Sequence, residues 1–114
     1  MNHSGRAEIL QGTLDLLVLR TLLFGPMHGH GIVKAIQRSS DELLKVEHGS
    51  LYPALYRLEQ KGWLASRWEK TDKGRPMKFY RLTAPGRKRL VVEQSKWEQF
   101  QHAMGLALRR QRQE

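Results

Sequence analysis

The stretch LDLLVLRTLLF, Leu14 to Phe24, constrains this chain more than any other. Wound as a helix, it spreads Leu14, Leu16, Leu17, Val18, Leu19, Leu22, Leu23 and Phe24 around most of the circumference. A helix that is apolar nearly all round must be covered on several sides. A chain of 114 residues offers one modest core and little material beyond it. The expectation is a central helix covered in part by a second subunit. Asp15 and Arg20 interrupt the run, which is also too short to span a bilayer. Thr13 is the expected N-cap, and Asp15 falls in a first turn where the helix dipole favours negative charge. Gly25-Pro26 is the expected stop.

The rest of the chain divides by its punctuation. Residues 1–11 read as a flexible leader, without the apolar core of a signal peptide. A second helix spans roughly Gly29 to Arg38, with Ile32, Val33 and Ile36 as its buried stripe. In the polar loop that follows, Leu43, Leu44 and Val46 suit either a short helical turn or a short strand. Ser50 then reads as the N-cap of a third helix that Gly62 ends. Leu51, Leu55 and Leu58 form its core face. On that reading Pro53 is the third helical residue, where a missing N–H costs nothing.

Trp63 to Thr71 and Met77 to Thr83 alternate as strands about Asp72-Lys73-Gly74, which is turn chemistry. Leu64, Ser66 and Trp68 share one side of the first strand; Lys78, Tyr80 and Leu82 share one side of the second. From Pro85 a last helix runs to about Arg109. Leu90, Trp97 and Met104 recur every seven residues along it, and Val91, Phe100, Ala107 and Leu108 widen the same side. That is a coiled-coil-like seam about three heptads long. A basic tail covers 111–114.

The fold class is thus mainly α with a small β-hairpin: a winged helix-turn-helix over 12–84 and a C-terminal dimerisation helix over 85–110. In such a module the third helix enters the DNA major groove. Its outward face offers Ser50, Tyr52, Pro53, Tyr56 and Arg57, and the wing offers Lys70, Lys73, Arg75 and Lys78. The net charge of +9 also favours a polyanionic partner. Lysine and arginine there are expected to meet phosphates, leaving base reading to the start of the third helix.

Other chemistry is poorly served. There is no cysteine, so disulfides, thiolate metal sites and cysteine nucleophiles are excluded. His28 and His30 stand two apart with no further ligand cluster nearby, whereas zinc needs three or four convergent ligands. His28 reads better as a helix-start residue. Ser50 beside His48 lacks a nucleophile elbow and an orienting acid. No glycine-rich phosphate loop is present. Neither catalysis nor a cofactor is expected, and a cytoplasmic location is. The rival reading is a winged helix that binds protein rather than DNA.

Three stretches carry a family resemblance: GPMHGHGIVKAI, VEHGSLYPALYRLEQKGWL and DKGRPMKFYRLTAPGRKRL. Together they resemble the PadR family of bacterial transcriptional regulators, from about Leu10 to Trp97. His30 stands where the family more usually has tyrosine, and Gly31 where an acidic residue is common. The resemblance implies a homodimeric winged-helix repressor of the small, single C-terminal-helix branch. It also implies an operator with dyad symmetry, released when an effector binds. The expected dimer interface is Leu16, Leu19, Leu90, Trp97, Phe100 and Met104. Trp97 is read first as packing, and more sharply as the wall of a pocket for a small aromatic effector.

Overall fold

The computed structural model describes Ala7, Glu8 and residues 11–110. The expectations for the rest of the leader and for the basic tail at 111–114 lie outside the described residues. The elements, in order, are β1 (Ala7–Glu8), α1 (Gln11–Leu22), β2 (Met27–His28), α2 (Gly29–Ser39), β3 (Leu44–Lys45), α3 (His48–Gln60), β4 (Leu64–Lys70), β5 (Pro76–Leu82) and α4 (Ala84–Arg110).

α1 is the hub. Leu14, Val18, Leu19 and Leu22 are buried, joined by Ile32, Val33 and Ile36 of α2 and by Leu51, Ala54, Leu55 and Leu58 of α3. Leu64, Tyr80 and Leu82 of the sheet and Leu90 of α4 close the same core. The all-round apolar pattern of α1 is therefore met largely within one chain, because α2, α3, α4 and β5 all touch it. Two expected interface residues fall to this packing. Leu19 is 0% exposed and Leu90 5%, so neither is available to a partner subunit.

α1 begins earlier than its punctuation suggested. Thr13 lies inside the helix, and Asp15 is its fifth residue rather than a first-turn acid. Part of the expected leader is structured: Ala7–Glu8 pairs in parallel with Leu44–Lys45. That pairing realises the strand alternative for the α2–α3 loop, and Val46 anchors the loop in the core. Leu43 is left exposed.

The expected hairpin is present and has gained a strand. β4 and β5 pair antiparallel from Leu64↔Leu82 to Lys70↔Pro76, and β2 adds to the far edge of β5 through Met27↔Tyr80 and His28↔Phe79. At the wing tip, Thr71 N–H and Oγ1 both donate to the Arg75 carbonyl at 3.0 Å. Gly74 closes the turn at φ +80°, a conformation that side-chain-bearing residues resist.

α3 also starts early. Glu47 is its N-cap in extended conformation, and the N–H groups of Ser50 and Leu51 bond the Glu47 carbonyl at 3.0 and 2.9 Å. Ser50 is thus the third helical residue and not the cap. Val46, buried just upstream, commits the chain to turn inward before the polar cap signal is reached. Pro53 accordingly lies inside the helix, as its sixth residue, and denies the Gly49 carbonyl its usual donor four residues on. The C-terminus agrees with expectation. Gly62 sits at φ +78°, its N–H bonds the Glu59 carbonyl, and Trp63 N–H reaches the Leu58 carbonyl at 3.1 Å, which is a Schellman closure.

Candidate nucleic-acid interface

The exposed face of α3 begins at its N-terminus. His48, Gly49, Ser50, Tyr52, Pro53 and Tyr56 are all exposed. Tyr52 is 46% exposed and Tyr56 65%, off the buried stripe of Leu51, Leu55 and Leu58 as their spacing predicts. Tyr52 is not simply free. A Cβ added at Gly29 would collide with its ring, so the glycine at the start of α2 exists to let this phenol seat against the backbone.

α2 is capped by a histidine. His28 is extended, at φ −82° and ψ 169°, and its Nδ1 accepts the Gly31 N–H at 3.0 Å. This is the helix-start role expected of it. No group of three or more metal-ligating side chains occurs among the described residues.

Between the starts of α2 and α3 and the inner face of the wing lies an open groove of about 360 Å³. Its walls include His28, His30, Tyr52, Trp68, Lys78 and Tyr80. Trp68 stands on the same sheet face as Tyr80 because Trp68↔Lys78 and Ser66↔Tyr80 are registered pairs. Burial, and next to it the charge of Glu59, push the Tyr80 phenol above its ordinary value, so it remains protonated at neutral pH.

The expected cations divide into two groups. Lys70, Lys73 and Arg75 are exposed around the wing tip. Arg57 and Lys78 are engaged within the chain. Arg57 Nη2 bonds Asp15 Oδ1 at 2.7 Å, tying α3 to α1. Lys78 Nζ lies 3.7 Å from Glu59 and 5.5 Å from the Tyr80 ring centre. Glu59 also accepts from Ser66 Oγ at 2.5 Å, so this acid clamps the end of α3 to the wing. Sequence reasoning placed both cations outward because their partners lie far along the chain.

A second groove, of about 350 Å³, runs between α1 and α4. Leu16, Trp97 and Phe100 line it with Thr13, Glu93 and Lys96. The rings of Trp97 and Phe100 are 6.1 Å apart, and Met104 is exposed further along the same helix. Of the expected interface residues, Trp97, Phe100 and Met104 thus remain exposed, and Leu16 is half-buried against the core.

Helices α1 to α3, a three-stranded sheet with a basic tip and a long trailing helix define a winged helix-turn-helix protein. The model of the Transcriptional regulator PadR-like family matches residues 18–92, and the chain belongs to that family. A transcriptional regulator of Mycobacterium tuberculosis is 30% identical over 93 residues, covering 82% of this chain and 83% of the relative. Among solved structures, a PadR family transcriptional regulator from Eggerthella lenta is 35% identical with a TM-score of 0.74, covering 86% of this chain and 83% of its own. A transcriptional regulator from Clostridium thermocellum is 29% identical with a TM-score of 0.77, covering 83% and 92%. The family and these neighbours are transcriptional regulators, not enzymes. No described helix is long and apolar enough to cross a membrane.

Proposed function

We propose that the chain acts as a homodimeric repressor that reads a dyad-symmetric operator and is released by an effector. The observation that carries the DNA reading is the exposed start of α3, which shares a groove with the wing through Tyr52, Trp68 and Lys78, while the wing tip bears the exposed Lys70, Lys73 and Arg75. Ser50, Tyr52, Pro53 and Tyr56 face the major groove, where Pro53 offers a rigid apolar edge to a thymine methyl. Lys73 and Arg75 hold phosphates. In a dimer, paired α3 helices meet half-sites about one helical turn apart. The exposed side of α4, with Leu16, Trp97, Phe100 and Met104, supports the dimer. The Trp97 groove suits a flat aromatic effector. Ligand binding there would change the pairing of α4 helices and so the separation of the reading helices.

A gel shift on DNA from upstream of the chain's own gene, across a salt series, tests the DNA reading. A sequence-specific shift is expected, with affinity falling steeply as salt rises. Arg75→Ala should weaken binding to all sequences and reduce the salt slope by about one phosphate contact. If a folded dimer gives no specific shift at moderate salt, the protein-binding alternative replaces it.

A further inference from the structure

We infer that His30 and His48 belong to the DNA-contacting surface and that DNA binding is coupled to proton uptake on them. The inference rests on the DNA reading above. Four rings form a row from the start of α2 to the face of α3. His28 and His30 are 6.5 Å apart, His30 and His48 5.8 Å, and His48 and Tyr52 6.2 Å, between centroids. Their successive planes lie within 5°, 11° and 23° of each other. His30 and His48 are exposed, and the row ends on the tyrosine expected to meet DNA. The two histidines lie eighteen positions apart in sequence; the packing of Gly29 against Tyr52 brings them together.

The surroundings hold no anion for these two rings. Among the described residues, neither imidazole has a carboxylate within ion-pair distance. On α2 the nearby charge is Lys34, one turn beyond His30. Ahead of α3, Glu47 is paired with Lys45 at 3.2 Å. On β5, Lys78 lines the adjoining groove and is paired with Glu59 on α3. His28 and Tyr52 complete the ring neighbours. Two exposed rings this close, with no carboxylate beside them, leave ring nitrogens open to one shared anion. A DNA phosphate supplies that anion. Imidazole is the side chain whose ordinary titration spans about pH 5 to 8, and the protonated ring donates from both nitrogens. Stabilising the charged form only in the complex makes binding take up protons, so affinity rises as pH falls. His28 stands apart. Its Nδ1 accepts the Gly31 N–H, a bond that requires the nitrogen unprotonated, and it remains the cap of α2.

The test uses the full chain and a labelled mixed-sequence duplex of about 30 base pairs, long enough for two half-sites. Affinity is measured at constant ionic strength from about pH 8 to about pH 6, across the imidazole range. Wild type should tighten by roughly tenfold or more, since each coupled proton contributes up to about tenfold per pH unit. In proton NMR at neutral pH, adding duplex should move the His30 and His48 ring resonances towards their protonated positions. His102, on α4, should not move. A folded H30Q/H48Q double variant should lose most of the pH slope. A double variant that keeps the wild-type slope, or DNA binding that leaves both resonances in place, overturns the coupling while the DNA reading stands. Wild type that fails to bind at every pH, on this duplex and on the DNA upstream of its own gene, overturns the DNA reading itself.

Discussion

Asp15 shows how one side chain can be essential to placement and of little value to stability. Burial raises its carboxyl above the ordinary value of 3.8, and the charge and hydrogen bond of Arg57 pull it back only in part. A carboxyl whose folded value is raised gives stability that is present below the unfolded value and is lost as pH rises through the folded one. The ionised pair at neutral pH therefore orients α3 on α1 more than it stabilises either. Asp15→Asn should leave stability at neutral pH unchanged or slightly higher, within about 1 kcal/mol. It should also flatten the pH dependence just above 3.8. Urea unfolding across that range checks both, and a large loss at neutral pH would contradict the assignment. The pairing was not legible in sequence. Asp15 and Arg57 lie 42 residues apart, and the position of Arg57 beside the leucine stripe of α3 reads equally well as solvent-facing.

At the scale of elements, the junction between the wing and α4 is closely fitted. Thr83 Oγ1 accepts the Gly86 N–H at 3.0 Å, capping α4, and donates to the Gly62 carbonyl at 2.7 Å. Thr83 N–H bonds the Trp63 carbonyl at 3.1 Å. A Cβ on Gly86 would run into that same Trp63 carbonyl, which is backbone and cannot yield. Helix propensity alone favours alanine over glycine by roughly 0.5–1 kcal/mol. Overpacking against backbone costs about 1–3 kcal/mol, so the steric effect should win. Gly86→Ala is expected to lower the urea midpoint of a purified, folded protein. A raised midpoint would mean that α4 can slide on its seat. The start of α3 gives the complementary lesson. Its cap residues suggested Ser50, yet burial of Val46 three residues before Gly49 begins the helix earlier and draws Pro53 into its interior. Stop signals proved more legible than start signals here, because the positive φ at Gly62 is a local steric demand and a cap can be outbid by tertiary burial.

For the whole molecule, the telling feature is how far α4 outruns the core. Its 27 residues extend about 40 Å at the usual helical rise. The chain measures 64 × 34 × 21 Å. Beyond Leu90 no residue of α4 is fully buried, while Trp97, Phe100, Met104 and Leu108 stay exposed, Phe100 at 57%. Such a stripe on a helix with a heptad seam is suited to a second copy. The double substitution Phe100→Glu and Met104→Glu is expected to leave the α1–α3 core folded and to yield monomers in analytical ultracentrifugation. Loss of the second reading head should then weaken binding to a two-half-site duplex by roughly a hundredfold or more. A variant that sediments as the wild type does would remove α4 from the interface.

The sequence by itself determined the order of the four helices and the hairpin, the core stripes of α2 and α3, the turn of the wing, and the family. These follow from backbone periodicity and steric punctuation, which act over a few residues. Only the tertiary structure decided which of the apolar faces are spent inside one chain, as at Leu19 and Leu90, and which remain outside, as at Phe100 and Met104. It also paired Arg57 with Asp15 and Lys78 with Glu59, and aligned His30 with His48. Each of these outcomes depends on how remote segments pack, and a local pattern specifies a face without specifying what will lie against it.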